Sequence, residues 1–126
     1  MSKQVIATNA APKAIGPYSQ AVRVGNTVWL SGQIPLDPAT GELVVGSIEV
    51  QARRVFENLK AIVSAAGFGL EDAVKATVFL TDLTQFAAVN QVMAEYFREP
   101  FPARATVGVA ALPKGAAIEV ECILAR

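Results

Sequence analysis

Only two stretches of this 126-residue sequence carry helical periodicity, and that scarcity governs what the chain can fold into. In the first, residues 48–66, the apolar side chains Ile48, Ala52, Val55, Leu59, Ile62, Val63 and Ala66 recur at the spacing that lays one stripe along a helix. Ser47 stands before it as an N-cap and Gly67 after it at C′. Asp82 caps the second helix, with Gln85 three residues on. Its stripe is Phe86, Val89, Met93, Tyr96 and Phe97, and Pro100 and Pro102 end it. Between the helices, residues 74–81 alternate strictly. Val74, Ala76, Val78 and Leu80 share one face and Lys75, Thr77, Phe79 and Thr81 the other, which is the period of a strand.

The remaining patterned segments read as strands: 5–8, 19–24, 27–31, 103–109 and 117–124. Gly25-Asn26 joins two of them as a two-residue hairpin loop. Residues 9–17 are a loop marked by Pro12 and Gly16-Pro17, and 37–41 are a turn. The order is strands, helix, strand, helix, strands. It predicts an α+β layer in a single domain spanning 1–126: one mixed β-sheet with two helices packed on one face. Two helices leave the other face bare, yet Val28, Trp29 and Leu30 are consecutive, so apolar groups point both ways. The chain is 52% hydrophobic and 17% charged, against about 25% charged in soluble domains. Large bare apolar faces are rare on monomers. A second copy of the chain is the simplest cover, and an oligomer is expected.

The missing residue types limit the chemistry. Formal net charge is zero with no basic run, so no nucleic-acid partner is expected. Histidine is absent and Cys122 is the only cysteine, which removes His-activated nucleophiles and the usual metal clusters. No Gly-rich phosphate loop or dinucleotide fingerprint occurs, so no metal and no cofactor are expected. No apolar run is long enough for a membrane span, and Met1-Ser2-Lys3-Gln4 lacks a signal-peptide h-region, so a cytoplasmic location without membrane contact is expected.

Chemistry must then run on carboxylates, Arg, Lys, hydroxyls and backbone groups. Arg104 stands at a strand start that Pro102 stiffens, and a guanidinium can grip a carboxylate through two parallel hydrogen bonds. Read alone, an Arg at a strand end is more often a solvated surface residue than an anchor. Glu119 and Glu121 share one strand face opposite Ile118, Val120 and Cys122. They are either water-facing charges or, where an interface desolvates them, an acid–base group with a raised pKa. Alternation does not choose between the two. Tyr18 follows the rigid Gly16-Pro17 turn, and as a type it is more often a packed aromatic. Ser31-Gly32 ends a strand with small residues that permit close approach. Asn90 reads as a solvent-facing helix residue and Cys122 as an inert core thiol.

Several segments in order carry a resemblance: Ala14-Ile15-Gly16-Pro17-Tyr18-Ser19-Gln20-Ala21, Ser31-Gly32-Gln33-Ile34-Pro35, Val78-Phe79-Leu80-Thr81-Asp82, Phe101-Pro102-Ala103-Arg104, Leu112-Pro113-Lys114-Gly115 and Ile118-Glu119-Val120-Glu121. Together they resemble the RidA family of enamine/imine deaminases, formerly called the YjgF type, over nearly the whole chain. The resemblance implies a chorismate-mutase-like α+β domain assembled as a trimer around a central barrel, with active sites between subunits. It implies hydrolysis of small 2-imino and 2-enamino acids to 2-keto acids and ammonia without a cofactor. Carried over residue by residue, Arg104 would hold the substrate carboxylate and Glu119 would position or activate water. Tyr18, Ser31, Gly32, Asn90 and Thr106 would line the pocket. Thr106 stands where many members have Cys, so nothing that depends on a thiol there transfers. Three rivals remain: a non-catalytic carboxylate-binding or regulatory trimer, a ribonuclease, and a pathway-specific deaminase such as an aminomuconate-type enzyme.

Overall fold

A computed structural model describes residues 2–126. Six strands form one sheet: β1 (Gln4–Ile6), β2 (Ala21–Val24), β3 (Thr27–Leu30), β4 (Ala73–Leu80), β5 (Ala103–Gly108) and β6 (Ile118–Ala125). Their order across the sheet is β1-β2-β3-β6-β4-β5. All neighbours are antiparallel except β4 and β5, which run parallel. Parallel strands need a long crossover, and helix α2 (Phe86–Tyr96) supplies it. Among the described residues, no helix is long and apolar enough to cross a membrane.

Helix α1 (Ile48–Ala65) starts and stops where its sequence requires. The Ser47 side chain accepts a hydrogen bond from the Val50 amide at 3.3 Å. Gly67 takes φ +78°, the left-handed conformation in which glycine carries no Cβ penalty. The stripe Ala52, Val55, Phe56, Leu59 and Ile62 is fully buried. It packs on the sheet face made by Ala76, Val78, Leu80, Ile118, Val120, Cys122 and Leu124. The Phe56 ring stacks on Tyr96 at 5.3 Å between centroids and meets Phe97 edge-on at 5.9 Å, which locks α1 to α2. Asn58, also fully buried, satisfies its amide by accepting from Arg54 Nε and donating to the Leu36 carbonyl.

Two local expectations are corrected. Val74 was assigned to the buried face of β4 but is about half exposed. Ala73 pairs with Leu124 and Lys75 with Ile123, so two steps along β4 match one along β6. Val74 is the extra residue of a β-bulge, and Ala73 takes its place in the core. Asp82 does cap, but it caps a single 3₁₀ turn, Leu83–Gln85, through Thr84 N at 3.0 Å and Thr84 Oγ1 at 2.6 Å. The α-helix itself begins only at Phe86. Strand ends also retract. The strand predicted from residue 19 begins at Ala21.

The opposite sheet face carries Val22, Trp29, Phe79 and Ile123, alternating with polar groups along the strands. Trp29 is 50% exposed. The expectation of apolar groups on both faces therefore holds in the single chain.

Candidate active site

The sequence places Arg104 second in β5, paired across the parallel ladder with Ala76. Ala76 belongs to the helix-covered face, so Arg104 points the same way, toward α2. There the guanidinium is held on several sides. It donates to Asn90 Oδ1 at 2.5 Å and approaches Met93 Sδ at 3.7 Å. Its central carbon lies 5.0 Å from the centre of the Phe86 ring. Arg104 is exposed, yet its direction is fixed. The group opens on a cavity of about 390 Å³ lined by Asn90, Met93, Ala94, Phe97, Phe101, Pro102 and Arg104. A fixed guanidinium at such a cavity is built to receive a planar anion.

Glu119 lies on β6 opposite Phe79, on the other face of the sheet. It lines a second cavity, of about 480 Å³, with Tyr18, Ser31, Gly32, Gln33, Lys13 and Lys114 among its walls. Gly32 leaves room for the carboxylate in this position. A Cβ at that position would fall 2.0 Å from Glu119 Oε2, so the carboxylate lies where any other side chain would begin. The segment is kept in place by paired backbone hydrogen bonds between Gln33 and Val120. Burial raises the Glu119 pKa above the ordinary 4.5, and the like charge of Glu121 raises it further. Glu121 is exposed and shows no such burial.

The Ser31 hydroxyl donates to the Ser19 carbonyl at 2.6 Å, so its proton is committed to the fold and only its lone pairs face the cavity. Tyr18 is half exposed. Its loop is clamped by the buried Gln20, whose amide donates to the Thr8 and Pro12 carbonyls and accepts from the Thr8 amide. Thr106 sits two residues beyond Arg104 on the same face, paired with Val78. Among the described residues, its Oγ1 is the one buried side-chain oxygen or nitrogen without a hydrogen-bond partner. It does not line the cavity at Arg104.

The structure thus gathers the seven predicted residues into two groups. Arg104 and Asn90 meet directly, with Thr106 beside them; Tyr18, Ser31, Gly32 and Glu119 meet around the other cavity. Within one chain the two groups are not brought together, because β4 separates β5 from β6 and the register sends Arg104 and Glu119 to opposite faces. The sequence reading took Phe86 and Met93 for core stripe only. Their spacing to Asn90 on one helix face, four and three residues, is the signal that ties them to Arg104. Gln20 and Asn58 gave no pattern of their own, since a buried amide is legible only from its partners.

The sequence model of the family described as Endoribonuclease L-PSP matches residues 8–126. A 2-iminobutanoate/2-iminopropanoate deaminase of Dermatophagoides farinae is 52% identical over 122 residues, covering 97% of this chain and 95% of its own. The crystal structure of RidA from a Psychrobacter species is 56% identical, with a TM-score of 0.94, and covers 98% of this chain and 99% of its own. Escherichia coli TdcF with bound serine is 45% identical, with a TM-score of 0.92, and covers 98% of each chain. Matched over nearly its whole length in sequence and in fold by such relatives, the chain belongs to the RidA/YjgF family.

Proposed function

We propose that this protein is an enzyme that hydrolyses reactive 2-imino and 2-enamino acids to 2-keto acids and ammonia, with Arg104 as carboxylate anchor and Glu119 as acid–base group. The observation that carries the reading is the guanidinium of Arg104, fixed by Asn90 and Phe86 at the mouth of a cavity. Such a group orients a carboxylate before reaction. The Dermatophagoides farinae relative is named for two small imino acids of this class.

The chemistry asks little of the protein. A protonated imine carbon is already electrophilic. Glu119, as carboxylate, accepts a proton from water while the water oxygen bonds to C2. The carbinolamine that forms carries an amine, and Glu119 returns the proton to that nitrogen. The C–N bond then breaks, the carbonyl forms, and ammonia leaves, taking up the hydroxyl proton as ammonium. General acid–base help of this kind contributes about 10²–10⁴-fold. Tyr18, Ser31 and Gly32 shape the walls around Glu119 and Asn90 steers Arg104, with Thr106 two residues further along β5.

Arg104 and Glu119 face opposite sides of the sheet, so one substrate reaches both only across a junction of two chains. The partly bare outer face, with Trp29, Val22 and Ile123, supports the same conclusion. A homotrimer closed around a barrel, in the chorismate-mutase-like manner, satisfies both. The test couples purified protein to a threonine dehydratase and follows decay of the released imine. Acceleration by wild type that Arg104→Ala lowers by about 10²-fold or more is expected. Full activity in that variant excludes the anchor role. Carboxylate binding without any acceleration would show a ligand-binding trimer instead. The endoribonuclease in the family's description finds no basic run in a sequence of zero net charge, and steeply salt-dependent RNA binding would be its mark.

A further inference from the structure

The turn that leads into β6 is built against its sequence. The Gly115 amide donates to the Leu112 carbonyl at 3.2 Å and the Ala116 amide to the Pro113 carbonyl at 3.1 Å. A tight turn with proline second and a positive φ third takes glycine or asparagine at that third position. Residue 114 holds it, with φ 57° and ψ 18°, yet it is lysine. Among the described residues it is the only one besides glycines with a positive φ. That conformation is costly for a residue with a Cβ, and it persists where the surroundings impose it.

What the lysine gains there is reach. Its Nζ donates to the Gly41 carbonyl at 3.3 Å, across 73 residues of sequence. Gly41 lies at the tip of a strap, residues 35–44, closed on itself by Val44 N–H to the Pro35 carbonyl at 2.9 Å and Asp37 N–H to the Glu42 carbonyl at 2.8 Å. The root of the strap is fixed twice. Asn58 Nδ2 donates to the Leu36 carbonyl at 2.9 Å, and Gln33 is bonded in both directions to Val120. At the tip, among the described residues, Lys114 supplies the one side-chain hydrogen bond from outside the strap. Ile34 and Leu36 from the root, with Pro113 and Lys114 from the turn, line the Glu119 cavity.

We propose that Lys114 is a positioning residue for the reaction: by tying the strap to the turn before β6, it keeps one wall of the Glu119 cavity in place and limits the water that reaches the carboxylate. The inference rests on Glu119 being the acid–base group. The charged and titratable groups facing Glu119 are Lys13, Tyr18 and Lys114 around the cavity, Glu121 on β6, and Lys75 on the same face of β4. Glu119 forms no ion pair with any of them among the described residues, so Lys114 serves as a tether and not as a counter-charge.

The test compares wild type with Lys114→Gly, Lys114→Ala and Lys114→Arg in the whole protein, by dehydratase-coupled imine decay and by amide hydrogen exchange. Lys114→Gly removes the amine and gives the turn the residue it favours. Its melting temperature should not fall, while kcat/KM drops about fivefold or more, the worth of one hydrogen bond. The Gly41 and Val44 amides should exchange faster. Burial is the larger cause of the raised proton affinity of Glu119, so added water should move the acidic limb of kcat/KM to lower pH. Loss of a positive charge alone would move it to higher pH, and the sign separates the two roles. Lys114→Ala should match Lys114→Gly in rate and melt lower, and Lys114→Arg, which keeps a donor of similar reach, should recover most of the activity. Unchanged kcat/KM or unchanged exchange in Lys114→Gly overturns the proposal, as does a limb that stays in place or rises. No acceleration by wild type fails the proposed function and this inference with it, an outcome distinct from a fast wild type that the variants equal.

Discussion

Glu119 takes up the space that a side chain on residue 32 would need, and its environment sets its proton affinity. Burial is the larger cause of its raised pKa and Glu121 the smaller. As a carboxyl whose folded-state pKa lies above 4.5, Glu119 stabilises the fold relative to its ordinary state only at low pH, and that benefit is lost as pH rises through the raised value. In the proposed mechanism the carboxylate form takes the proton from water, so the acidic limb of kcat/KM against pH should lie above 4.5. Glu121→Gln removes the repulsion and should move that limb to lower pH, without bringing it down to 4.5, because the burial remains. A limb that does not move on this substitution would show that Glu119 is not the titrating base.

Among the elements, α1 and α2 matter to the site because Phe56 ties them together. Its ring touches both Tyr96 and Phe97, and Phe97 is the floor of the Arg104 cavity. Phe56→Ala should therefore cost about 3–5 kcal/mol in denaturant unfolding, at the upper end of single-residue effects. A loss below about 1 kcal/mol would mean that the helix pair is held from elsewhere. Both helices, the β2–β3 hairpin and all six strands were legible in the sequence, since period 3.6 and period 2 each survive in their own apolar residues. The bulge at Val74 was not. Alternation fixes a face only while the ladder keeps step, and the skipped residue is set by the partner β6, which lies more than forty residues downstream. The extra turn after Asp82 was missed for a related reason: Ser, Thr and Asp caps look alike before an α-helix and a 3₁₀ turn.

At the scale of the whole molecule, the site residues were legible as types and through resemblance, but not as an arrangement. Nothing in residues 103–124 announces that β4 will slot between β5 and β6 and turn Arg104 and Glu119 away from each other. Only strand order and register show it. The consequence can be tested by mixing two inactive proteins. Arg104→Ala and Glu119→Gln chains, denatured together and refolded as a one-to-one mixture, should regain up to about one quarter of wild-type activity, the chance that a junction draws both intact residues from its two chains. A site contained within one chain would give no recovery at all, and neither would a protein that stays monomeric by light scattering.

Cys122 lies on β6, with β3 on one side, β4 on the other and the helices over its face. Burial pushes its thiol up to about 12, so almost none is thiolate at neutral pH. It is the only sulfhydryl in the chain. An alkylating reagent can reach it only when the middle of the sheet comes apart. The protein therefore carries a single-hit clock for its own global opening: the pace of labelling reads how often the whole fold is lost, while fraying at the two sheet edges goes unrecorded.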